Sequence, residues 1–255
     1  MASIHYGKIK TAGQVKAWLR HCETEQRKLR EHRNEDIDKN RTGENVNFRG
    51  LSYSESCEKY DKRIKELDNS TNTNRRKDRV TGFGLIISMP EGLTREEEKK
   101  LMEVSIQLFE EKYGKENLVG AYGHWDELHD YVNGDSFKSS RAHLHLFIVP
   151  EIHGGLRGKE FSSKKSMKEM NRAVDRECYS MFGKHFLTGE KAGRKSVEDL
   201  KRGSAKDAEI LWNINEAVKR EQLGQLGRLL ESKKARVLVS EALKGETYVN
   251  REHTR

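Results

Sequence analysis

Proline and cysteine are both scarce: the 255 residues include two prolines and three cysteines. Cys22, Cys57 and Cys178 lie far apart, and their odd number and spacing fit neither a disulfide framework nor a cysteine metal site. No apolar run approaches the ~18 residues of a membrane-spanning helix, and the N-terminus lacks the residue order of a secretory signal. We therefore expect a cytoplasmic protein, with its thiols reduced, that does not span a membrane.

Charged residues are abundant instead, at 35% of the chain against 34% hydrophobic residues. Lys and Arg number 49 against 41 acidic residues, which gives a net charge of +8 and a pI near 9.2. This basic excess favours a polyanionic partner, and nucleic acid before a membrane surface. The length allows one large domain, or one domain with an extension.

Two short stretches carry the residues best suited to binding a metal ion. His143 and His145 lie in an apolar run that ends at Pro150, a pattern that predicts a strand with both imidazoles on one face. His124 ends another apolar run and is followed by Asp126–Glu127. Three imidazoles beside carboxylates suit a divalent cation that keeps positions open for substrate. The alternative is that His143 and His145 are polar residues on a half-exposed strand.

The hydrophobic periodicity predicts an α+β fold, with an antiparallel central sheet flanked by helices and a helical C-terminal extension. We place the main domain at residues 1–190 and the extension at residues 191–255. A leucine stripe in the extension predicts packing on the domain, or a dimer through the C-terminal helices. The predicted strands are Ser3–Ile9, Val80–Ser88, Leu118–Tyr122 and Arg141–Pro150. The predicted helices are Gly13 to about Arg30, Tyr53–Leu67, Thr94–Tyr113 and Ser162 to about Phe182.

Taken in order, these motifs resemble the MobV (Mob/Pre) relaxases of the HUH endonuclease superfamily. The resemblance covers roughly residues 5–205, and its most specific part is the His124–Glu127 and His143–His145 pair. The other anchors are Arg20-His21, His32–Asp36, Asn45–Phe48, Arg76–Asp78, Ser162–Lys164 and Val197–Arg202.

The resemblance implies a site- and strand-specific enzyme that nicks DNA at a plasmid or mobile-element origin of transfer, stays covalently bound to the 5′ end and later rejoins the strand. His124, His143 and His145 would hold a divalent cation, usually manganese or magnesium in this family, although ligand softness alone favours zinc. His21 matches the nucleophile that forms a phosphoramidate with DNA, and Glu127 matches the carboxylate that orients it.

Several basic residues are candidates for contacts with single-stranded or hairpin-forming DNA. Arg76 falls at a basic position that the resemblance places near the catalytic site, beside Lys77, and Arg41 and Lys164 complete the set. Serines and lysines at a helix start, as around Lys164, can hold phosphates, but they can equally form an ordinary cap with solvated lysines.

The chain departs from the family pattern in three places. Residues 128–142 intervene between the two histidine motifs, and we interpret them as an inserted hairpin tip or loop. The arginine that often lies three residues after the nucleophile is replaced by Thr24, with Arg20, Arg27 and Lys28 as candidate substitutes. The long C-terminal coiled coil common in the family does not appear, which suggests a short member or an excised domain.

Two other functions remain open on the sequence. The first is a rolling-circle replication initiator or transposase with a tyrosine nucleophile, for which the candidates are Tyr6, Tyr53, Tyr60 and Tyr179. The second is a non-catalytic basic DNA-binding protein whose histidines hold a structural metal. The chemistry of a covalent protein–DNA adduct would distinguish among them.

Overall fold

The computed structural model describes residues 4–29, 37–70, 75–127, 130–133, 136–139, 141–187, 210, 213–214, 218 and 223–243. The chain divides into two compact units, one of residues 1–127 and 141–191 and one of residues 128–140 and 192–255. The family anchors at 32–36 and 197–202, and most of the predicted extension, lie outside the described residues. No helix within the described residues is both long and apolar enough to cross a membrane. The predicted boundary at residue 190 stays a prediction.

A five-stranded antiparallel sheet forms the centre of the first unit. Its order is β1-β3-β7-β4-β2, with β7 in the middle and every residue of β7 buried. The strands of this sheet are β1 (Ile4–Ile9), β2 (Val46–Asn47), β3 (Gly82–Ser88), β4 (Leu118–His124) and β7 (His143–Ile148). The first unit also contains a hairpin of β8 (Glu151–Ile152) with β9 (Gly155–Leu156). The second unit contains a hairpin of β5 (Asp130–Asn133) with β6 (Ser136–Ser139). The predicted α+β class is confirmed, and the segment interpreted as a hairpin contains one.

Helices cover both faces of this sheet. The helices of the first unit are α1 (Ala12–Cys22), α2 (Thr24–Lys28), α3 (Tyr53–Asp68), α4 (Arg95–Tyr113), α5 (Gly158–Phe161) and α6 (Lys164–Phe182). The second unit contains α7 (Leu223–Leu230) and α8 (Lys233–Leu243). The predicted capping box at Thr94 and Glu97 is present at the start of α4. The single helix predicted from Gly13 to Arg30 is wrong, because the chain is extended at Glu23 and a new helix begins there. The carboxylate of Glu23 caps that second helix by accepting from the backbone N–H of Gln26.

The two sheet faces carry different cores. Leu85, Leu144 and Leu146 point to one face, where α4, α5 and α6 cover them. His145 and Phe147 point to the other, where α1 and α3 contribute Leu19 and Tyr60. The side-chain alternation of the strand therefore separates a wholly apolar face from one that carries the histidines.

Glycine lets α1 approach the sheet closely. A Cβ atom on Gly84 would lie 2.4 Å from Nε1 of Trp18, closer than real side chains allow. The indole of Trp18 fills this space and packs edge-on against His145, with ring centroids 5.5 Å apart. Because Trp18 and His21 lie on the same short helix, this contact sets the height of His21 above the strands.

Candidate active site

Strand register brings the three predicted ligands together. His124 on β4 lies directly opposite His143 on β7, and His145 follows two residues later on the same face. The ring centroids are 5.4 Å apart for His124 and His143, 4.6 Å for His124 and His145, and 4.7 Å for the pair on β7. The predicted cluster therefore forms at one end of the central strands.

A carboxylate completes the group. His124, Glu127, His143 and His145 each present a ligand atom, and these atoms all lie within 4.8 Å of one another. His145 is buried, and among the described residues neither of its ring nitrogens has a hydrogen-bond partner. Since a buried polar group without a partner costs free energy, this arrangement suits a ligand that accepts an imidazole lone pair.

Burial sets the protonation state of the cluster. Desolvation lowers the pKa of His124 to about 4 and lowers the pKa of His145 well below its usual value. Burial by itself would raise the pKa of Glu127, but the contact with His124 and the charges of the neighbouring histidines outweigh it and hold that pKa far below its usual range. At neutral pH the two imidazoles are therefore uncharged and the carboxyl group is ionised, the state that binds cations.

The predicted nucleophile lies beside this cluster. His21 is in the last turn of α1, with 41% of its side chain exposed, and its ring centroid is 6.0 Å from that of His145. Its Nε2 is 3.6 Å from Oε1 of Glu127, slightly longer than a hydrogen bond. The structure therefore brings together His21, Glu127 and the three candidate ligands, while leaving His21 accessible.

Arg27 is the site residue that the sequence did not single out. Its guanidinium is fully buried, with Nη1 2.6 Å from Nδ1 of His124 and Nη2 2.7 Å from Oε1 of Glu127. Sequence reasoning named it only as one of three substitutes for an arginine that the family pattern would place at Thr24. No local pattern could have ranked it above Arg20 or Lys28, because its burial depends on the break at Glu23.

Asp126 supports the site without being grouped with the candidate ligands. One carboxylate oxygen, Oδ2, accepts a 2.9 Å hydrogen bond from Thr42, and the other, Oδ1, lies 3.4 Å from Nη1 of Arg27. The backbone carbonyl of Asp126 accepts from the N–H of Asp38. These contacts tie the segment after β4 to the short helix at Thr42–Glu44.

The basic candidates lie at two different ends of the sheet. Arg41 precedes the turn at Thr42 and pairs with Glu44, close to Asp126. Arg76 and Lys77 instead line a cavity of about 450 Å³ with Lys10, which follows the β1 residue paired with Gly82.

The register separates this cavity from the histidines. His143 pairs with Ser88, at the far end of β3 from Gly82, and six residues of strand at ~3.3 Å each span about 20 Å. The expectation that Arg76 lies near the site is therefore wrong, although its contact with DNA stays a prediction. Lys164 also lies at the far end, because Ser166, two residues later, contacts the hydroxyl of Tyr113 in the last turn of α4, which leads into the start of β4.

The tyrosine candidates are poorly placed to act at this cluster. Tyr6 points to the opposite sheet face, where its neighbours are Phe83 and Phe161. Tyr60 is buried against Phe147, and Tyr179 stacks on His185 at the exposed surface of α6. The hydroxyl of Tyr53 accepts a hydrogen bond from Arg20.

Comparison with known proteins gives the family. Residues 1–204 match the family model Mob_Pre, described as plasmid recombination enzyme. A plasmid recombination enzyme type 2 of Staphylococcus aureus is 32% identical over 167 residues, which are 63% of this chain and 35% of the relative. A plasmid recombination enzyme of Streptococcus agalactiae is 28% identical over 204 residues, 76% of this chain and 37% of the relative. The matches therefore span about a third of these longer proteins.

A solved structure shows the same fold. The MobM relaxase domain (MOBV; Mob_Pre), in a manganese-bound crystal structure with plasmid oriT DNA, aligns with a TM-score of 0.63 and 24% identity, covering 79% of this chain and 97% of that one. A second crystal structure of that domain with oriT DNA gives a TM-score of 0.61 at 21% identity. Since the family model matches most of the sequence, the chain belongs to the Mob/Pre family of plasmid recombination enzymes.

Proposed function

We propose that this chain is a relaxase that nicks and rejoins one DNA strand at an origin of transfer, with His21 as the nucleophile. One observation carries the proposal: Glu127 lies within 3.7 Å of His21, His124 and His143 at the same time. A single ionised carboxylate thus links an accessible imidazole to a buried ligand cluster. The carboxylate that would orient the nucleophile therefore also lies beside the candidate cation ligands, an arrangement that suits phosphoryl transfer.

The residues present fit a divalent cation. His124, His143 and His145 would hold it, with Glu127 adjacent, and the unpartnered nitrogens of buried His145 are the structural sign of such a ligand. When bound, the cation would polarise the scissile phosphate and stabilise its developing charge. Manganese is the first candidate because the related MobM domain is manganese-bound, and magnesium is the second.

The chain's own residues account for the covalent step. An N–H on Nε2 of His21 directed at Glu127 would leave the Nδ1 lone pair to attack phosphorus. A phosphorus–nitrogen bond forms and the bond from phosphorus to the 3′ oxygen breaks. The ring gives up its Nε2 proton through Glu127, and the 3′ oxygen takes up one proton and leaves as a hydroxyl. Rejoining reverses the step: the 3′ hydroxyl attacks phosphorus and the imidazole leaves. No nucleotide cofactor is needed, because the phosphorus–nitrogen bond conserves the energy required to re-form the phosphodiester.

The basic cavity gives the proposed DNA contact a location. The cavity is lined by Lys10, Arg75, Arg76, Lys77 and Arg79. It lies about 20 Å along the sheet from the histidines. At ~3.4 Å per base pair, this distance corresponds to about six base pairs of duplex. We infer that the cavity holds backbone phosphates of the origin roughly that far from the nick, while Arg41 lies at the catalytic end and Lys164 at the far end.

Adduct mapping tests the function. The protein is incubated with Mn²⁺ and a supercoiled plasmid that carries the DNA flanking its own coding region, and the trapped adduct is digested and analysed by mass spectrometry. We expect the modification on His21, in a linkage that is labile to acid and relatively stable to alkali. An adduct on Tyr53 or any other tyrosine would instead support the initiator or transposase alternative.

Paired variants separate attack from binding. His21→Ala should retain cation and DNA affinity but lose cleavage, because it removes the attacking nitrogen without removing a ligand. His153→Ala is the matched control, since His153 is highly exposed on the β8–β9 turn and should be dispensable. DNA binding without nicking by the wild-type protein under all divalent cations would favour the non-catalytic alternative.

A further inference from the structure

The solvent-facing side of α6 carries a row of cations. Lys165, Lys168, Arg172 and Arg176 are all exposed, and the helical repeat places them within an arc of about 80°. At ~1.5 Å per residue the row is about 16 Å long. We call these four residues the α6 stripe. Lys164, one residue before it, lies outside this arc.

The stripe faces away from the catalytic histidines. On the opposite side of the same helix, Met170, Val174 and Cys178 are buried in the core of the apolar sheet face. His145 points to the other face of the sheet, where it contacts Trp18. The sheet therefore lies between the stripe and the histidines, and a straight DNA segment bound at the histidines does not reach the stripe.

No acidic side chain neutralises the stripe within the part of the chain that the structure describes. None of its four side chains forms an ion pair or a side-chain hydrogen bond with a described residue. The two acidic residues that border it are engaged elsewhere. Glu169 accepts a 3.0 Å hydrogen bond from Lys112 on α4. Asp175 accepts a 2.8 Å hydrogen bond from the backbone N–H of Leu187 and lies 3.3 Å from Nδ1 of His185.

The charge of this helix is unlike that of its neighbour on the same sheet face. The sequence of α6 contains five basic and three acidic residues, whereas α4 contains four basic and six acidic residues. Cations three or four residues apart on one helix face repel one another, so the stripe destabilises α6 as long as it is unpartnered. A polyanion removes this repulsion and gains affinity by releasing its own counterions.

Duplex DNA is the polyanion that fits the stripe best. Along its axis a duplex carries one charge per ~1.7 Å, twice the density of a single strand, so about 16 Å of stripe faces on the order of ten phosphate charges. The row is straight, as the backbone of a short duplex is, and its side chains are long and exposed. Contacts between such side chains and phosphates hold DNA in place without reading its sequence.

We propose that the α6 stripe binds the phosphate backbone of a second segment of duplex DNA, while the histidine cluster holds the strand to be cut. The inference rests on the proposed function and adds a second DNA site on the opposite side of the sheet. One chain would then hold two segments of its plasmid at once. The second segment can have any sequence, since the contacts are electrostatic.

Salt dependence measures the contribution of the stripe. In the stripe variant the four cations become glutamine: Lys165→Gln, Lys168→Gln, Arg172→Gln and Arg176→Gln. For a blunt duplex of random sequence, the slope of log affinity against log salt should become shallower by about three to four units, because up to four phosphate contacts are lost. All four positions are exposed, so the variant should fold with wild-type stability, which thermal unfolding checks.

A control variant removes the same charge from other helices. It replaces four exposed lysines of α3 and α4: Lys62→Gln, Lys65→Gln, Lys99→Gln and Lys100→Gln. Its net charge equals that of the stripe variant, yet its salt slope should match the wild type. A loss of slope in both variants would show that only the overall charge matters and would overturn the inference.

A bridging assay tests the second segment directly. Single-stranded DNA from the region flanking the coding sequence is fixed to beads, and the protein is added with a labelled blunt duplex. The wild type and the control variant should retain the duplex on the beads. The stripe variant should bind the bead DNA with wild-type affinity but retain roughly 10-fold less duplex. If the wild type retained no duplex, or if the stripe variant retained as much as the wild type, the inference would be wrong.

Sedimentation with vesicles of anionic phospholipid separates DNA from a membrane surface. Binding to vesicles that the stripe variant loses, together with an unchanged DNA slope, would assign the stripe to a membrane and overturn the inference. The proposed function fails in a different way. A wild-type protein that never nicks DNA, but whose duplex binding depends on the stripe, would refute the relaxase reaction and leave the α6 site standing.

Discussion

Replacing His145 with leucine should stabilise the metal-free protein and abolish its response to metal. His145 is buried in the middle of the sheet, and among the described residues its two ring nitrogens have no hydrogen-bond partner. A polar group left in this state costs about 1–3 kcal/mol, and an apolar side chain of similar size removes that cost. We expect a net gain at the lower end of this range, because the substitution also removes the edge contact with the indole of Trp18.

Thermal or urea unfolding in EDTA measures the stability difference between His145→Leu and the wild type. For a chain of this size, each kcal/mol raises the melting temperature by about 2–4 °C. Adding Mn²⁺ at 1,000 times its dissociation constant should stabilise the wild type by about 4.1 kcal/mol and leave His145→Leu unchanged. The order of the two proteins should therefore reverse between EDTA and Mn²⁺.

A second histidine in the same sheet provides the control. His5 on β1 pairs with Ile86, which in turn pairs with His145, but its side chain is exposed. His5→Leu should change stability by no more than about 0.5 kcal/mol in either condition. If His145→Leu were clearly less stable than wild type in EDTA, the imidazole would be a satisfied part of the core and the reasoning from its unpartnered nitrogens would fail.

Three further outcomes follow from the same structure. The pKa of His124 is lowered from 6.5 to about 4, so as pH falls the unfolded chain takes up the proton before the folded chain does. Urea unfolding should therefore show the stability of the metal-free protein falling between pH 6.5 and 4, by up to ~1.4 kcal/mol per pH unit. A flat profile would contradict a neutral buried ring. Arg76→Gln with Lys77→Gln should flatten the log-affinity against log-salt slope for DNA by up to about two units and leave Mn²⁺ affinity unchanged; an unaltered slope would show that the cavity does not touch DNA. Gly84→Ala should displace α1 and reduce nicking about 100-fold in a plasmid relaxation assay, whereas Gly13→Ala, whose Cβ meets only one atom at 4.0 Å, should not.

The sheet and the clustering of the three histidines were predictable because both depend on short-range patterns. Alternation fixes the shared face of His143 and His145, and a strand that ends at His124 can pair beside them. The position of Arg76 was not predictable in this way. Arg76 comes just before β3, so its distance from the histidines depends on which end of β3 lies beside the histidine end of β7. Strand pairing of this kind is a tertiary property that a single sequence does not reveal.

The helix that the sequence predicted wrongly carries His21, the proposed nucleophile. In a continuous helix the carbonyl of Cys22 would accept from the N–H of Gln26. Because the chain is extended at Glu23, the side chain of Glu23 accepts from Gln26 instead, and the carbonyl of Cys22 accepts from His124. The same break redirects α2 so that Arg27 lies inside, against Glu127, while His21 stays at the exposed end of α1. Residues 23–30 are mostly polar residues that favour a helix, so the sequence predicts one continuous helix, whereas in the structure the break leaves the carbonyl of Cys22 to accept the hydrogen bond of the buried His124 imidazole.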